Sequence, residues 1–336
     1  MTAAQIFGTT PDGQTIRRVV LSGGGLSASI ITYGASLQDL RLSGHDAPLV
    51  LGYERIEDYL DHSVYFGAIV GRYANRIAHG RFSLDGETHR LPANDRGHTL
   101  HGGPDGTWRR NWTLAEAGPD FATLRLVDPA GGFPGNLAIS CIYRLLPETT
   151  LSVELSATTD APTLCNLAHH SWFNLDDGGA GTVLDHRLQI EADAYLPVDG
   201  EGIPVGIAAA VAGTPFNFRH ERRIGGSGML YDHNFCLAGM RRPLSFAARL
   251  EGAESGISMD LWTTEPGLQF FDGAIPARVV PGLGGRRYGS HAGLCLEPQI
   301  WPDAPNRPDF PQAVLRPGEE YRQRTEFRFY RSEAVV

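Results

Sequence analysis

Leu137-Ala-Ile-Ser-Cys-Ile-Tyr-Arg-Leu145 and Thr150-Leu-Ser-Val-Glu-Leu-Ser156 flank a short break at Pro147-Glu148. In the first run Leu137, Ile139, Cys141, Tyr143 and Leu145 recur at every second position. That is the period of a strand with one buried face, and the two runs with their break predict an antiparallel hairpin.

The same signal extends in both directions along the chain. Arg18–Leu21, Ala28–Tyr33 and Leu37–Leu42 are β-branched or alternating runs separated by Gly and Ser. Arg81–Leu84 and Thr88–Leu91 flank Asp85-Gly86, a pair that tolerates the positive φ of a tight hairpin turn. Trp112–Glu116 and Phe121–Val127 flank Gly118-Pro-Asp120, and further strands are expected at Arg187–Ile190, Ile257–Trp262, Leu268–Phe271 and Arg324–Tyr330. Arg55–Leu60 is the best of few helical patterns. Without a repeat, a low-complexity segment or a linker, residues 1–336 read as one all-β domain, a large antiparallel β-sandwich.

Composition narrows the function classes. The net charge of −9 and the absence of a basic stripe argue against nucleic acid as a partner. Arg222-Arg223, Arg241-Arg242 and Arg286-Arg287 read as solvated surface. Cys141, Cys165, Cys236 and Cys295 are scattered among apolar neighbours, which predicts buried reduced thiols and no structural zinc. Met1–Thr10 lacks the basic and apolar regions of a signal peptide, and no apolar run reaches membrane-spanning length. A cytoplasmic protein with no membrane association is expected.

Two separated segments concentrate chemistry. Asn166-Leu-Ala-His-His-Ser-Trp-Phe-Asn-Leu175 sets a histidine pair beside hydroxyl, aromatic and amide groups, and Leu296-Glu-Pro-Gln-Ile-Trp-Pro-Asp303 sets Glu297 at the end of an apolar stretch. A histidine and a glutamate in one cleft can move protons at neutral pH without a metal. His169 and His170 are adjacent, so on a strand they face opposite ways and cannot share one metal; one enters a cleft and the other packs or meets solvent.

Weaker signals surround them. His101 lies in the glycine-flanked Gly97-His-Thr-Leu-His-Gly-Gly103. Gly71-Arg-Tyr-Ala-Asn-Arg-Ile77 carries Arg72, Asn75 and Arg76, as functional groups or as a structural turn. Asp232 sits in Tyr231-Asp-His-Asn-Phe235, and Gln269 in Pro266-Gly-Leu-Gln-Phe-Phe271. Amides, histidines, carboxylates and the aromatics Trp172 and Phe173 together suit a sugar: planar polar groups read hydroxyls and an aromatic face covers C–H patches. Gly23-Gly-Gly-Leu-Ser-Ala28 matches a dinucleotide loop in spacing, but β-branched residues follow where a helix is required, so no nucleotide is expected. Gly225-Gly-Ser-Gly-Met229 misses the nucleophile-elbow pattern at Met229.

Taken in order, Ile31–Ser36, Gly71–Ile77, Thr99–Gly103, His170–Leu175, Tyr231–Phe235, Pro266–Phe270, Glu297–Asp303 and Leu315–Tyr321 resemble the aldose 1-epimerase (galactose mutarotase) family almost end to end. The resemblance implies a galactose mutarotase-like supersandwich and a cofactor-free, metal-free interconversion of the α and β anomers of a free monosaccharide. It implies His170 as proton donor and Glu297 as proton acceptor, with sugar contacts from Asn75, Arg76, His101, Ser171, Trp172, Asp232 and Gln269. Trp172 stands where Tyr is commoner in relatives, and His169 where Asn is common. A monomer or homodimer is expected. With Glu297 ionised at pH 7, and His170 kept protonated by carboxylates such as Asp232, ring opening can proceed by general acid/base steps. The competing expectations are a glycoside hydrolase using Asp232 and Glu297, a non-catalytic sugar binder, and a sugar-phosphate epimerase gripping phosphate with Gly282-Leu-Gly-Gly-Arg-Arg287.

Overall fold

The computed structural model describes residues 4–62, 64–129 and 131–331. Met1–Ala3 of the N-terminal stretch, and 332–336 at the other end of the expected domain, lie outside the described residues.

The opening hairpin forms as Leu137–Leu146 against Thr150–Thr159, in unbroken antiparallel register. Its odd positions from Leu137 to Leu145 are buried and its even ones partly or fully exposed, as the alternation requires. The hairpin is the middle of a nine-stranded antiparallel sheet. Phe121–Asp128 and Thr113–Ala117 extend it on one side. On the other come Tyr321–Arg331, Ile257–Thr263, Ser245–Glu251, Arg187–Ile190 and Arg222–Arg223.

A second, six-stranded sheet runs Trp172–Phe173, Leu294–Gln299, Gly267–Phe271, Asp232–Cys236, Ala194–Tyr195, Ala209–Ala210. A four-stranded meander of Gln5–Thr9, Thr15–Gly23, Leu26–Ile31 and Ser36–Leu42 completes the main sheets. The inner faces share one apolar core: Ile139, Tyr143 and Phe327 from the large sheet, Leu268, Phe270 and Leu296 from the second, Ile30 and Leu37 from the meander. These are the layers of a β-sandwich.

Local chemistry decides the connections. Asp85 and Gly86 take φ of 50° and 85°, joining Arg81–Leu84 to Glu87–Arg90. Gly24 and Gly25, at φ 56° and 82°, turn the chain from strand to strand, so the glycine-rich stretch carries no helix of the dinucleotide type. The expected helical turn forms as Ile56–His62, burying Ile56 and Tyr59.

One surface expectation fails. Arg241 donates to Glu265 at 2.7 Å, the Glu265 side chain is fully buried, and the guanidinium lies 4.4 Å from the Tyr321 ring centroid. Arg222 bonds the Tyr231 hydroxyl and stacks over Phe218. An arginine pair in sequence does not reveal a buried carboxylate waiting on another strand. Arg223 and Arg287 do meet solvent.

Candidate active site

Three neighbouring strands of the six-stranded sheet build the floor of a cleft. Gln269 of Gly267–Phe271 is in register with Glu297 on one side and with Asn234, two residues from Asp232, on the other. Every residue of Leu294–Gln299 is buried, so Glu297 projects its carboxylate from a rigid central strand. The wall opposite comes from Ala168–His170, paired with Ala68–Val70, and from Arg76–Ile77, paired with Thr99–Leu100. Floor and wall enclose a cleft of about 180 Å³. Asn75, Arg76, His101, His170, Asp232 and Glu297 form its polar lining; Val64, Tyr65, Trp172, Phe271 and Ile275 form most of the apolar remainder.

Strand alternation separates the two histidines. His169 packs in the sandwich core, with ring centroids 5.8 Å from Tyr143 and 5.5 Å from Phe327. His170 faces the cleft among Tyr65, His101 and Trp172, and its Nε2 lies 3.5 Å from Glu297 Oε2. Behind it, Nδ1 meets the Cys295 thiol at 3.6 Å.

The second arginine motif splits by role. Arg72 is fully buried away from the cleft. It bonds Asp128 at 2.9 Å and the carbonyls of Asp128, Pro129, Pro134 and Gly135, and so is structural. Arg76 lines the cleft, its Nε donating to Asp95 at 2.8 Å and its Nη1 standing 3.8 Å from Asp232. Asn75 and His101, both at positive φ, interlock: the Asn75 N–H donates to His101 Nδ1 at 3.1 Å, and the His101 N–H to the Asn75 carbonyl at 3.1 Å. Gly102 allows the approach, because a Cβ there would lie 1.9 Å from the Gly71 carbonyl oxygen.

Two expected contacts are placed elsewhere. Ser171 is buried with its hydroxyl 3.2 Å from His169 Nε2, outside the cleft lining. The alternation that separates His169 from His170 puts Ser171 on the core side. Gln269 is also outside the lining; its amide donates to Asp232 at 2.6 Å and props that carboxylate from behind. The Trp172 indole N–H is taken by the Val64 carbonyl at 3.1 Å, leaving an apolar face to the cleft. Tyr65, Val64 and Ile275 belong to no motif. Tyr65 enters the site through a left-handed backbone conformation (φ 66°) that its sequence neighbourhood does not announce. Leu100 and Phe271 lie inside quoted motifs, and Phe271 shares the face of Gln269 by the period-2 rule.

Burial dominates the electrostatics. It pushes His170 down to about 4 and His101 well below the ordinary histidine value, the latter helped by His170 and Arg76. It pushes Glu297 well up, with Asp232 adding to the rise and Arg76 opposing it. Against the expectation of an ionised Glu297 beside a protonated His170, burial works against both charged forms, and the charge of Asp232 acts on Glu297 instead of on the histidine.

His101, His170 and Glu297 also bring ligand-type atoms within 4.8 Å of one another, a set that could hold a metal ion. The hydrogen bond from the Asn75 N–H to His101 Nδ1 tests that option. It fixes the His101 proton on Nε2, so the nitrogen free of the backbone is a donor, not a lone-pair ligand. The trio fits a sugar oxygen better than a cation.

Fold and site together define a β-sandwich enzyme with a buried histidine–glutamate pair in a polar cleft. The aldose 1-epimerase family model matches residues 17–328, and the chain belongs to that family of isomerases. It is 40% identical over 335 residues to galactose mutarotase from Mus musculus, covering 96% of this chain and 97% of the relative. It is 38% identical over 336 residues to aldose 1-epimerase from Escherichia coli K12, covering 95% and 96%. Among solved structures it resembles an aldose epimerase homologue from C. elegans (TM-score 0.88, 29% identity, 94% of this chain and 99% of that one). It also resembles galactose 1-epimerase from Lactobacillus acidophilus (TM-score 0.84, 29% identity, 99% of both). No helix among the described residues is long and apolar enough to cross a membrane.

Proposed function

We propose that this enzyme interconverts the α and β anomers of a free aldose such as galactose or glucose, with Glu297 as proton acceptor and His170 as proton donor. The observation that carries the proposal is the 3.5 Å contact between His170 Nε2 and Glu297 Oε2 in a cleft otherwise lined by groups that recognise hydroxyls. Opening a hemiacetal ring removes the proton from the C1 hydroxyl and adds one to the ring oxygen. In this reading the pair holds the single proton required. Moving it from Glu297 to His170 creates the base and the acid together, without exchange with solvent. The aldehyde then rotates about C1–C2 and recloses with the two roles reversed.

Arg76, Asn75 and Asp232 hold ring hydroxyls, the His101 Nε2–H donates to a sugar oxygen, and the apolar face of Trp172 covers C–H groups. Gln269 acts on the sugar through Asp232. The glycoside-hydrolase alternative needs Asp232 free as the partner of Glu297, but its oxygens are engaged by Gln269 and faced by Arg76. A phosphate grip at Gly282–Arg287 is disfavoured, since Arg286 is spent on the Asp177 and Leu283 carbonyls. Four free thiols, three of them buried, support a reducing, cytoplasmic setting.

Optical rotation of freshly dissolved α-galactose and α-glucose tests the proposal. The enzyme should accelerate the decay to equilibrium. A decay at the buffer rate across glucose, galactose, xylose and arabinose would refute it.

A further inference from the structure

We propose that Asp95 and Gly202, neither of which lines the cleft, are positioning residues that hold the Arg76 guanidinium short of direct contact with Asp232. The inference rests on the mutarotase reading, in which Arg76 and Asp232 bind sugar hydroxyls. Arg76 Nη1 and Asp232 Oδ2 are 3.8 Å apart, too far for a hydrogen bond. Both therefore keep donors and acceptors for a hydroxyl. An arginine on a long flexible stem beside a carboxylate would otherwise close into a bidentate pair and occupy both groups.

Two contacts prevent the closure. Asp95 Oδ2 accepts from Arg76 Nε at 2.8 Å and draws the guanidinium back. Gly202, at φ +83°, packs flat against the guanidinium; a Cβ there would lie 2.9 Å from both Arg76 Cζ and Nη1. Asp95 and Gly202 belong to two turns that brace each other. Asp95 and His98 exchange backbone bonds at 3.1 and 2.7 Å, and Asp199 closes the other turn with Gly202 and Ile203 at 3.1 and 3.0 Å. Between the turns, Arg96 Nη1 donates to the Gly200 carbonyl at 3.0 Å, and His98 Nε2 donates to Glu201 at 3.0 Å. The direction of the second bond follows because His98 Nδ1 accepts the His79 N–H.

The test compares Asp95→Ala, Asp95→Asn and Gly202→Ala with Gly200→Ala, which lies in the same turn but has nothing within 4 Å of an added Cβ. KM and kcat come from polarimetry with α-galactose, galactose affinity from calorimetry, and folding from thermal melts. Losing a charge-assisted anchor should raise KM about tenfold in Asp95→Ala, with kcat changed much less. Gly202→Ala should behave alike. Asp95→Asn, which keeps an acceptor for Nε, should recover most of the loss, and Gly200→Ala should match the wild type. Lowered melting temperatures with unchanged KM in Asp95→Ala and Gly202→Ala would overturn the proposal, leaving the turns merely structural. A wild type that binds galactose without accelerating mutarotation would defeat the mutarotase reading alone. Equal galactose affinity in wild type and Asp95→Ala would then overturn the positioning role as well. A wild type that neither turns over nor binds sugar would remove both.

Discussion

His169 and His170 carry nearly the same electrostatic penalty but opposite roles, and that pairing yields a quantitative prediction. Burial lowers His169 to about 3 and His170 to about 4, against an ordinary value of 6.5. For a group whose folded pKa is depressed, the folded state is favoured above the unfolded pKa and loses ground as pH falls towards the folded one. At pH 7 neither histidine gains much charge in either state. At pH 5 the unfolded imidazole is protonated and the folded one is not, so unfolding gains 1.5 pH units of proton binding per histidine. At 1.36 kcal/mol per unit this is about 2 kcal/mol each. Urea unfolding of wild type, His169→Asn and His170→Asn at pH 7 and pH 5 measures it. The difference between the two pH values cancels the packing change of each substitution. Each variant should lose about 2 kcal/mol less than wild type on acidification. Only His170→Asn should lose most of its mutarotation rate, because the His169 imidazole lies among Tyr143 and Phe327 in the core. Unchanged pH dependence in either variant would refute the buried-neutral assignment. Comparable activity losses, or a larger loss at His169, would refute the division of roles.

Four further outcomes follow from the same geometry. Glu297→Gln should slow turnover roughly 10²–10⁴-fold while sugar affinity measured by calorimetry changes much less. The same variant should melt higher than wild type at pH 7, because a raised folded pKa means stability that is lost as pH rises above 4.5, and the gain should vanish towards pH 4.5. In the pH profile of kcat/KM, corrected for buffer catalysis, the acid limb should fall near 4, where His170 takes up a second proton and the base is lost; a limb near 6.5 would contradict the burial of His170. Activity should survive exhaustive chelation, given that His101 presents a donor to the cleft; loss on chelation with recovery on adding zinc would reassign the trio of His101, His170 and Glu297 as ligands.

Local pattern sufficed for most of the longer strands, but not for Gln5–Thr9 or Ser245–Glu251, which it did not announce. Period-2 burial in Leu137–Leu146, the positive φ of Asp85-Gly86 and the broken helix pattern after Gly25 are properties of a few consecutive residues, and each appears in the fold where the chain announces it. The opposition of His169 and His170 follows from the same alternation, which one residue further on places Ser171 on the core side with His169.

What only the tertiary structure decided is everything that depends on neighbours distant in the chain. Of two arginines four residues apart, Arg72 meets Asp128 and becomes structural, while Arg76 meets Asp95 and Asp232 and lines the cleft. Tyr65 reaches the site, and Gly202 the guanidinium of Arg76, through turns with no motif, and Arg241 is drawn inward by Glu265. The electrostatics of the His170–Glu297 pair belong to the same class. The side-chain types named an acid and a base, but loss of hydration disfavours the charged form of each and the charge of Asp232 disfavours it further on Glu297, and both influences are set by packing instead of by sequence order.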